Sequence, residues 1–106
     1  MYKIVGLWGS PKPSDVEAFE KHYLEVHVPL ARKVPHLRKL VLTRAESGLE
    51  GGAAPFHRVA ELHFDNPENF HRATETAQWR AMREDGGKLA ERFGVTIQAV
   101  IGWERE

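Results

Sequence analysis

Six histidines are the side chains of this chain that titrate near neutrality, so acid–base chemistry falls first to them. His22 and His27 lie five residues apart, which on an α-helix sets them about 140° apart, on opposite flanks of an apolar stripe. That spacing is wrong for a helical metal pair. His57 and His63 share a strand face but stand ~20 Å apart by strand rise, too far to chelate one ion, so no metal site is expected. His27 borders the stripe, follows Tyr23 by one turn and immediately precedes the Val28-Pro29 step, where a bend would give the imidazole a cavity to face. With an ordinary pKa near 6.5 it suits both general-acid and general-base work, and Tyr23 is placed to orient it or a substrate. The plainer alternative is a flank histidine bonded to solvent or to a carbonyl freed near Pro29. His63, two positions after Glu61 on one strand face, reads either as part of a pocket pair or as a polar contact to a partner subunit. His22 reads as a solvated flank residue, and His36, His57 and His71 as surface or turn residues.

Other reactive groups are scarce. The chain has no cysteine, which removes disulfides, thiolate nucleophiles, iron–sulfur clusters and thiolate zinc sites together. Ser10, Ser14 and Ser47 fall in loops and caps, outside the strand–turn–helix setting of a serine nucleophile. Gly48, Gly51 and Gly52 lack the spacing and the lysine of a phosphate loop. Asp85, beside Gly86-Gly87, reads as a helix-end charge. Trp8, Trp79 and Trp103 are candidate walls of an aromatic substrate pocket, although core packing explains tryptophans more often.

These side chains need elements to hold them. Tyr2 to Trp8 is β-branched and aromatic and stops at Gly9-Ser10-Pro11-Lys12-Pro13, so it predicts a first strand. Ser14 and Glu17 have the form of a capping box. The stripe Val16, Phe19, Tyr23, Val26, Leu30 follows at helical spacing, with a bend or restart near His27 because Pro29 has no N–H. Leu37 to Arg44 predicts a second strand, Ala45 to Pro55 a glycine-rich mobile loop, and His57 to Phe64 a third strand. Asn66-Pro67 starts a helix with Phe70, Ala73, Thr74 and Ala77 inside. Further helix through Trp79, Met82, Leu89 and Phe93 is expected, weakened at Gly86-Gly87, before a last strand from Val95 to Trp103. The order is βα–ββ–αβ. One hairpin and two right-handed crossovers then predict a ferredoxin-like α+β fold, a four-stranded antiparallel sheet with its helices on one face.

Both faces of the first and last strands are apolar: Ile4 and Trp8 oppose Val5 and Leu7, and Val95, Ile97 and Ile101 oppose Val100. Helices can cover only one face, and a bare apolar sheet exceeds what a monomer tolerates. A homodimer closed through the helix-free faces is therefore expected, folding of the C-terminal segment over that face being the alternative. No linker or repeat divides the 106 residues, which predicts one domain over 1–106. Lysine plus arginine and aspartate plus glutamate number 15 each, so no net field selects nucleic acid, an anionic membrane or a polyanionic substrate. No apolar run approaches the ~18 residues of a membrane span, and the N-terminus lacks a signal-peptide pattern. A soluble cytoplasmic protein is expected.

Phe19-Glu20-Lys21-His22-Tyr23-Leu24-Glu25-Val26-His27-Val28-Pro29-Leu30 and Val34-Pro35-His36-Leu37-Arg38-Lys39-Leu40 together resemble the EthD family, named for ethyl tert-butyl ether degradation. The strand Ala60-Glu61-Leu62-His63-Phe64, the segment Thr76-Ala77-Gln78-Trp79-Arg80-Ala81 and the final strand extend the resemblance over nearly the whole chain, while Gly86-Gly87 departs from it. The resemblance implies a dimeric α+β barrel with a small-molecule pocket between each subunit's own sheet and helices. It also implies a functional place for His27, since that histidine is the family pattern's most recognisable polar position. Related proteins include cofactor-free polyketide cyclases, lactone isomerases and quinone-forming monooxygenases. The expected function is binding of a small, largely apolar organic molecule, converted by cofactor-free acid–base chemistry of isomerase, cyclase or lyase type. His27 and Tyr23 are the expected catalytic residues, and Trp8, His63 and Trp79 the expected substrate contacts. Two rivals are a cofactor-free monooxygenase and a non-catalytic ligand-binding accessory module; a poised base beside a cavity separates the enzymes from the module.

Overall fold

The computed structural model describes residues 1–105. Strand β1 is Tyr2–Trp8, β2 Lys39–Arg44, β3 Arg58–Phe64 and β4 Ile97–Trp103, and they form one antiparallel sheet in the order β2-β3-β1-β4. This is the ferredoxin-like order that the βα–ββ–αβ pattern predicts. Even-numbered β1 residues face the helices, and register extends that face across the sheet: Ile4 sits opposite Leu62 and Ile101, Gly6 opposite Ala60 and Ala99, and Trp8 opposite Arg58 and Ile97.

The helical layer begins with a 3₁₀ turn, Pro13–Asp15, and continues as α1 (Val16–His22), a π-helical turn (Tyr23–His27) and α2 (Val28–Arg32). The predicted capping box does not form. Pro13 opens the 3₁₀ turn, so Ser14 already lies inside helical backbone and makes no side-chain cap. The predicted break at Pro29 also takes another form, because the chain widens instead of stopping. Val28 N–H bonds back to Tyr23 O, five residues earlier, and the wider turn accommodates the proline's missing donor. That extra residue shifts the buried stripe: Val28 and Ala31 point into the core, whereas Val26 is 41% exposed.

Helix α3 (Pro67–Thr74) is capped by Asn66, whose side chain accepts from Asn69 N–H at 2.8 Å. Helix α4 (Ala77–Phe93) is capped by Thr76 and stopped by Gly94 in left-handed geometry, φ 63°. It runs unbroken through Gly86-Gly87, contrary to the weakening expected there, because Met82, Gly86, Leu89 and Phe93 bury one continuous face. The segment 45–55 is irregular, tied by Gly48 N–H to Gly52 O at 2.8 Å.

Two apolar clusters fill the space between sheet and helices. One gathers Ile4, Leu62, Phe64, Phe70 and Met82; the other gathers Trp8, Phe19, Tyr23, Val28, Leu89 and Phe93. Burial at this scale contributes roughly 25 cal/mol per Å² of apolar surface removed from water. The opposite sheet face carries Val5, Leu7, Val41 and Val59, all half-buried, with Val100 59% exposed. No helix of the described residues is long and apolar enough to cross a membrane.

Candidate active site

Between the two clusters lies a cavity of about 360 Å³. Its floor follows from the sheet register: Ala60, Gly6 and Ala99 form a row of small residues across β3, β1 and β4, flanked by the larger Ile4 and Trp8 rows. Its roof is thinned in the same way at Gly86 and Gly87 of α4. A Cβ at Gly86 would stand 3.3 Å from His27 Cε1 and 3.8 Å from Trp8 Cη2, so this glycine lets the helix approach the two rings closely. Space that side chains would otherwise fill is left open on both sides, at a size ordinary for a small-molecule pocket.

His27 enters from the π-helical turn. Five residues make one hydrogen-bonded turn there, so His22 and His27 come to one side of the helix. Both reach the same carboxylate. His27 Nδ1–H donates to Asp85 Oδ2 at 3.0 Å and His22 Nε2–H to Asp85 Oδ1 at 2.9 Å. The opposite-flank reading of these histidines is corrected by the π geometry. Burial pushes the His27 pKa below the ordinary histidine value, partly countered by its bond to Asp85. The ring is therefore neutral at pH 7, with its proton on the Asp85 side. Nε2 makes no hydrogen bond to any described residue and is the nitrogen left for the cavity. His22 Nε2 also lies 3.2 Å from Oδ2, so that oxygen is shared by both rings, and no group of three or more His, Cys, Asp or Glu among the described residues could hold a metal ion.

Aromatic packing fixes this ring further. Phe19, Tyr23 and His27 follow one another along the helix, with Tyr23 near-parallel to Phe19 at 5.8 Å and to His27 at 5.9 Å. Trp8 meets all three edge-on, His27 at 5.2 Å between ring centroids. Burial pushes the Tyr23 hydroxyl up to about 12, against a smaller opposing pull from the Arg58 guanidinium. The phenol thus remains a proton donor through the neutral range. Arg58 lies 4.8 Å over its ring and is itself bound to Glu20, through Nε at 3.1 Å and through Nη2.

Of the residues singled out from sequence, His27, Tyr23, Trp8 and Trp79 all line the cavity. His63 does not. It follows Leu62 on β3, and alternate strand residues face opposite ways, so Ala60 and Leu62 face the cavity while Glu61 and His63 face the helix-free side. There His63 Nε2 is 3.3 Å from Glu61 without an aligned hydrogen bond, and Lys3 pairs with Glu61 at 3.1 Å. His57 is not a free surface group either, because its Nε2 lies 2.9 Å from Glu20. Asp85 is the residue that sequence reasoning missed: it lies in mid-helix, not at a helix end. The signal was present in the glycines that follow it, since glycine inside a helix marks close approach of another element.

The EthD domain model matches residues 12–92. An EthD family protein of Bacillus halodurans C-125 has a crystal structure that superposes with a TM-score of 0.86 at 31% identity, covering 99% of each chain. An uncharacterised 11.0 kDa protein encoded between thcB and thcC in Rhodococcus erythropolis is 26% identical over 97 residues, 92% of this chain and 90% of that protein. SnoaB, a cofactor-independent oxygenase from Streptomyces nogalater, shares the fold with a TM-score of 0.64 at 15% identity, over 99% of this chain and 93% of its own. The family match over most of the chain, with the full-length structural likeness, establishes that this protein belongs to the EthD family.

Proposed function

We propose that this chain binds a small, largely apolar organic molecule in the cavity and converts it by cofactor-free proton transfer. The observation that carries the reading is a buried, neutral imidazole, tied through Nδ1 to Asp85, on the wall of an otherwise mainly apolar cavity. Nε2 of His27 removes a proton from carbon next to a carbonyl, and the C–H electron pair moves onto the carbonyl oxygen. The Tyr23 O–H, kept protonated, supplies a hydrogen-bond donor for that developing oxyanion. Return of the proton from the imidazolium at another position completes an isomerisation; in a lyase outcome the imidazolium protonates the departing group, and in a cyclase outcome it protonates the alkoxide formed when the carbanion attacks a second carbonyl. Trp8 and Trp79 supply apolar walls. Asp85 holds the imidazole in the tautomer that presents a free Nε2.

The test is His27→Ala in the native chain, with turnover followed by mass spectrometry over a panel of aromatic, lactone and quinone-precursor compounds. Loss of roughly 10² to 10⁴ in rate is expected, with stability changed by no more than about 1 kcal/mol. Near-native turnover removes His27 from catalysis, and ligand binding without turnover across the panel favours the accessory module. Monooxygenation is a second reading, supported by the shared fold of SnoaB. Oxygen consumption matched to turnover distinguishes it.

The helix-free faces are proposed to pair two copies of the chain. Val5, Leu7, Val41, Val59 and Val100 on that face are the support for this, since nothing in the monomer covers them. Light scattering should give twice the 12.1 kDa chain mass, and a concentration-independent monomer would overturn the pairing.

A further inference from the structure

The proposed reaction leaves one cavity-lining group unused. Arg83 stands on α4 among Trp79, Met82 and Gly87, and is the one permanently charged side chain on the lining among the described residues. Its sequence neighbourhood denies it an intrahelical partner. Residues three and four away on either side are Arg80, Trp79, Gly86 and Gly87, so none is acidic at the spacings where helical ion pairs form. The adjoining charges are otherwise engaged: Lys88 pairs with Glu84 at 3.1 Å, and Arg80 donates to Glu75 O at 3.0 Å. No described carboxylate lies within ion-pair distance of Arg83, whereas Arg38, Arg44 and Arg58 each have one. Arg83 is exposed, and an added Cβ at Gly87, one turn on, would meet nothing within 4 Å beyond its own stretch of helix, so the approach to the guanidinium is open.

We infer that Arg83 recognises an anionic group at the cavity mouth, and that the ligand class is an aromatic or alicyclic monocarboxylate whose apolar body lies between the sheet floor and Gly86. The inference rests on the cavity reading and narrows it. A guanidinium presents a planar fork that matches a carboxylate with two parallel hydrogen bonds, while the apolar lining selects the remainder of the molecule.

The test compares 2-naphthoate with the neutral, similarly shaped 2-naphthamide by calorimetry, on the native chain, Arg83→Gln and Arg83→Lys. The naphthoate is expected to bind the native chain roughly 5- to 10-fold more tightly than the amide, a modest ratio because the guanidinium is partly screened by solvent. Arg83→Gln should abolish that ratio, and Arg83→Lys should keep part of it. Raising NaCl from 50 mM to 500 mM should shrink it on the native chain, a readout that needs no variant. Equal binding of the two compounds, or a ratio that survives Arg83→Gln, overturns the role of Arg83 and leaves the cavity reading standing. Binding of neither compound overturns both.

Discussion

The helical run from Val16 to Arg32 contributes to two carboxylate–histidine centres, Glu20 to one and His22 and His27 to the other, and they are built differently. At the first, Glu20 receives Arg58 through two nitrogens, His57 at 2.9 Å and Arg44 at 3.6 Å. At the second, Asp85 receives only imidazoles, from His22 and His27. An arginine is charged at every accessible pH, so the Glu20 centre holds a permanent cation, and its histidine, His57, does not line the cavity. The Asp85 centre has no permanent cation, and His27 keeps Nε2 unbonded among the described residues. The same pair of residue types thus serves as a fastening in one place and as a means of setting a proton in the other. The deciding feature is whether a guanidinium is present.

Removing the fastening should have the largest effect. Glu20→Ala leaves Arg58 buried with no counter-charge, which typically costs about 3–5 kcal/mol, read as a lowered urea midpoint with unchanged slope. Acid sharpens the same contrast. Burial pushes the Glu20 carboxyl up, but hydrogen bonds from Arg58 and His57 outweigh it and hold it below the usual 4.5. Its stabilisation is therefore complete above pH 4.5 and fades as pH falls through the depressed folded value. His27 is also depressed, from 6.5, so its contribution is complete above pH 6.5 and fades below, where the unfolded ring takes up a proton that the buried ring resists. Stability should decline first in the histidine window and again in the carboxylate window, and Glu20→Ala should shrink only the second decline, to which Glu61, held down by its bond from Lys3, also contributes.

Asp85→Asn attacks the other centre with a smaller structural effect and a distinct signature. The amide still fills the space and still accepts one hydrogen bond, so unfolding should shift by no more than about 1–2 kcal/mol. Turnover should fall by on the order of 10² or more, because the imidazole loses the partner that fixes its tautomer. Asp85 raises the His27 pKa against burial, so its removal should move the acidic limb of kcat/KM to lower pH. A rate loss with an unmoved limb would make Asp85 a packing residue.

The difference between the two centres was only partly legible in the sequence. Strand order, the Asn66-Pro67 helix start and the inward placing of Phe19 and Tyr23 follow from alternation, capping chemistry and 3.6-residue spacing, and the structure has them. Besides the capping box at Ser14, which Pro13 displaced, the helix reading failed from Tyr23 onward, where α periodicity was carried through a π-helical turn. One extra residue exchanged Val26 for Val28 in the core and gathered His22 and His27 on one carboxylate. Pro29 signalled an irregularity, but a missing donor is answered equally by a kink or a widened turn, and spacing does not choose between them. The His57–Glu20 contact joins residues 37 apart in sequence, a convergence that only the folded sheet creates. His63 shows the limit of parity read without the helices in place: its strand was found, but which face met the helices was not.

The smallest effect is the most discriminating, because it separates the cavity roof's packing role from its effect on His27. In mid-helix, alanine is favoured over glycine by about 0.8–1.0 kcal/mol. Gly87→Ala should collect most of that, since nothing lies within 4 Å of its added Cβ. Gly86→Ala should gain less, because its Cβ meets His27 Cε1 at 3.3 Å and the ring must give by a few tenths of an ångström. The stability difference between the two alanine variants therefore reads the contact with His27 directly, and thermal unfolding resolves it. Turnover should move in the opposite direction to stability at Gly86. A shift of a few tenths of an ångström at a positioned base should lower kcat roughly 3- to 10-fold, against the ~10²-fold that a full ångström costs. A Gly86→Ala chain as stable as Gly87→Ala and fully active would show that His27 tolerates displacement, and that the Asp85 centre is no more exacting about geometry than the Glu20 centre it contrasts with.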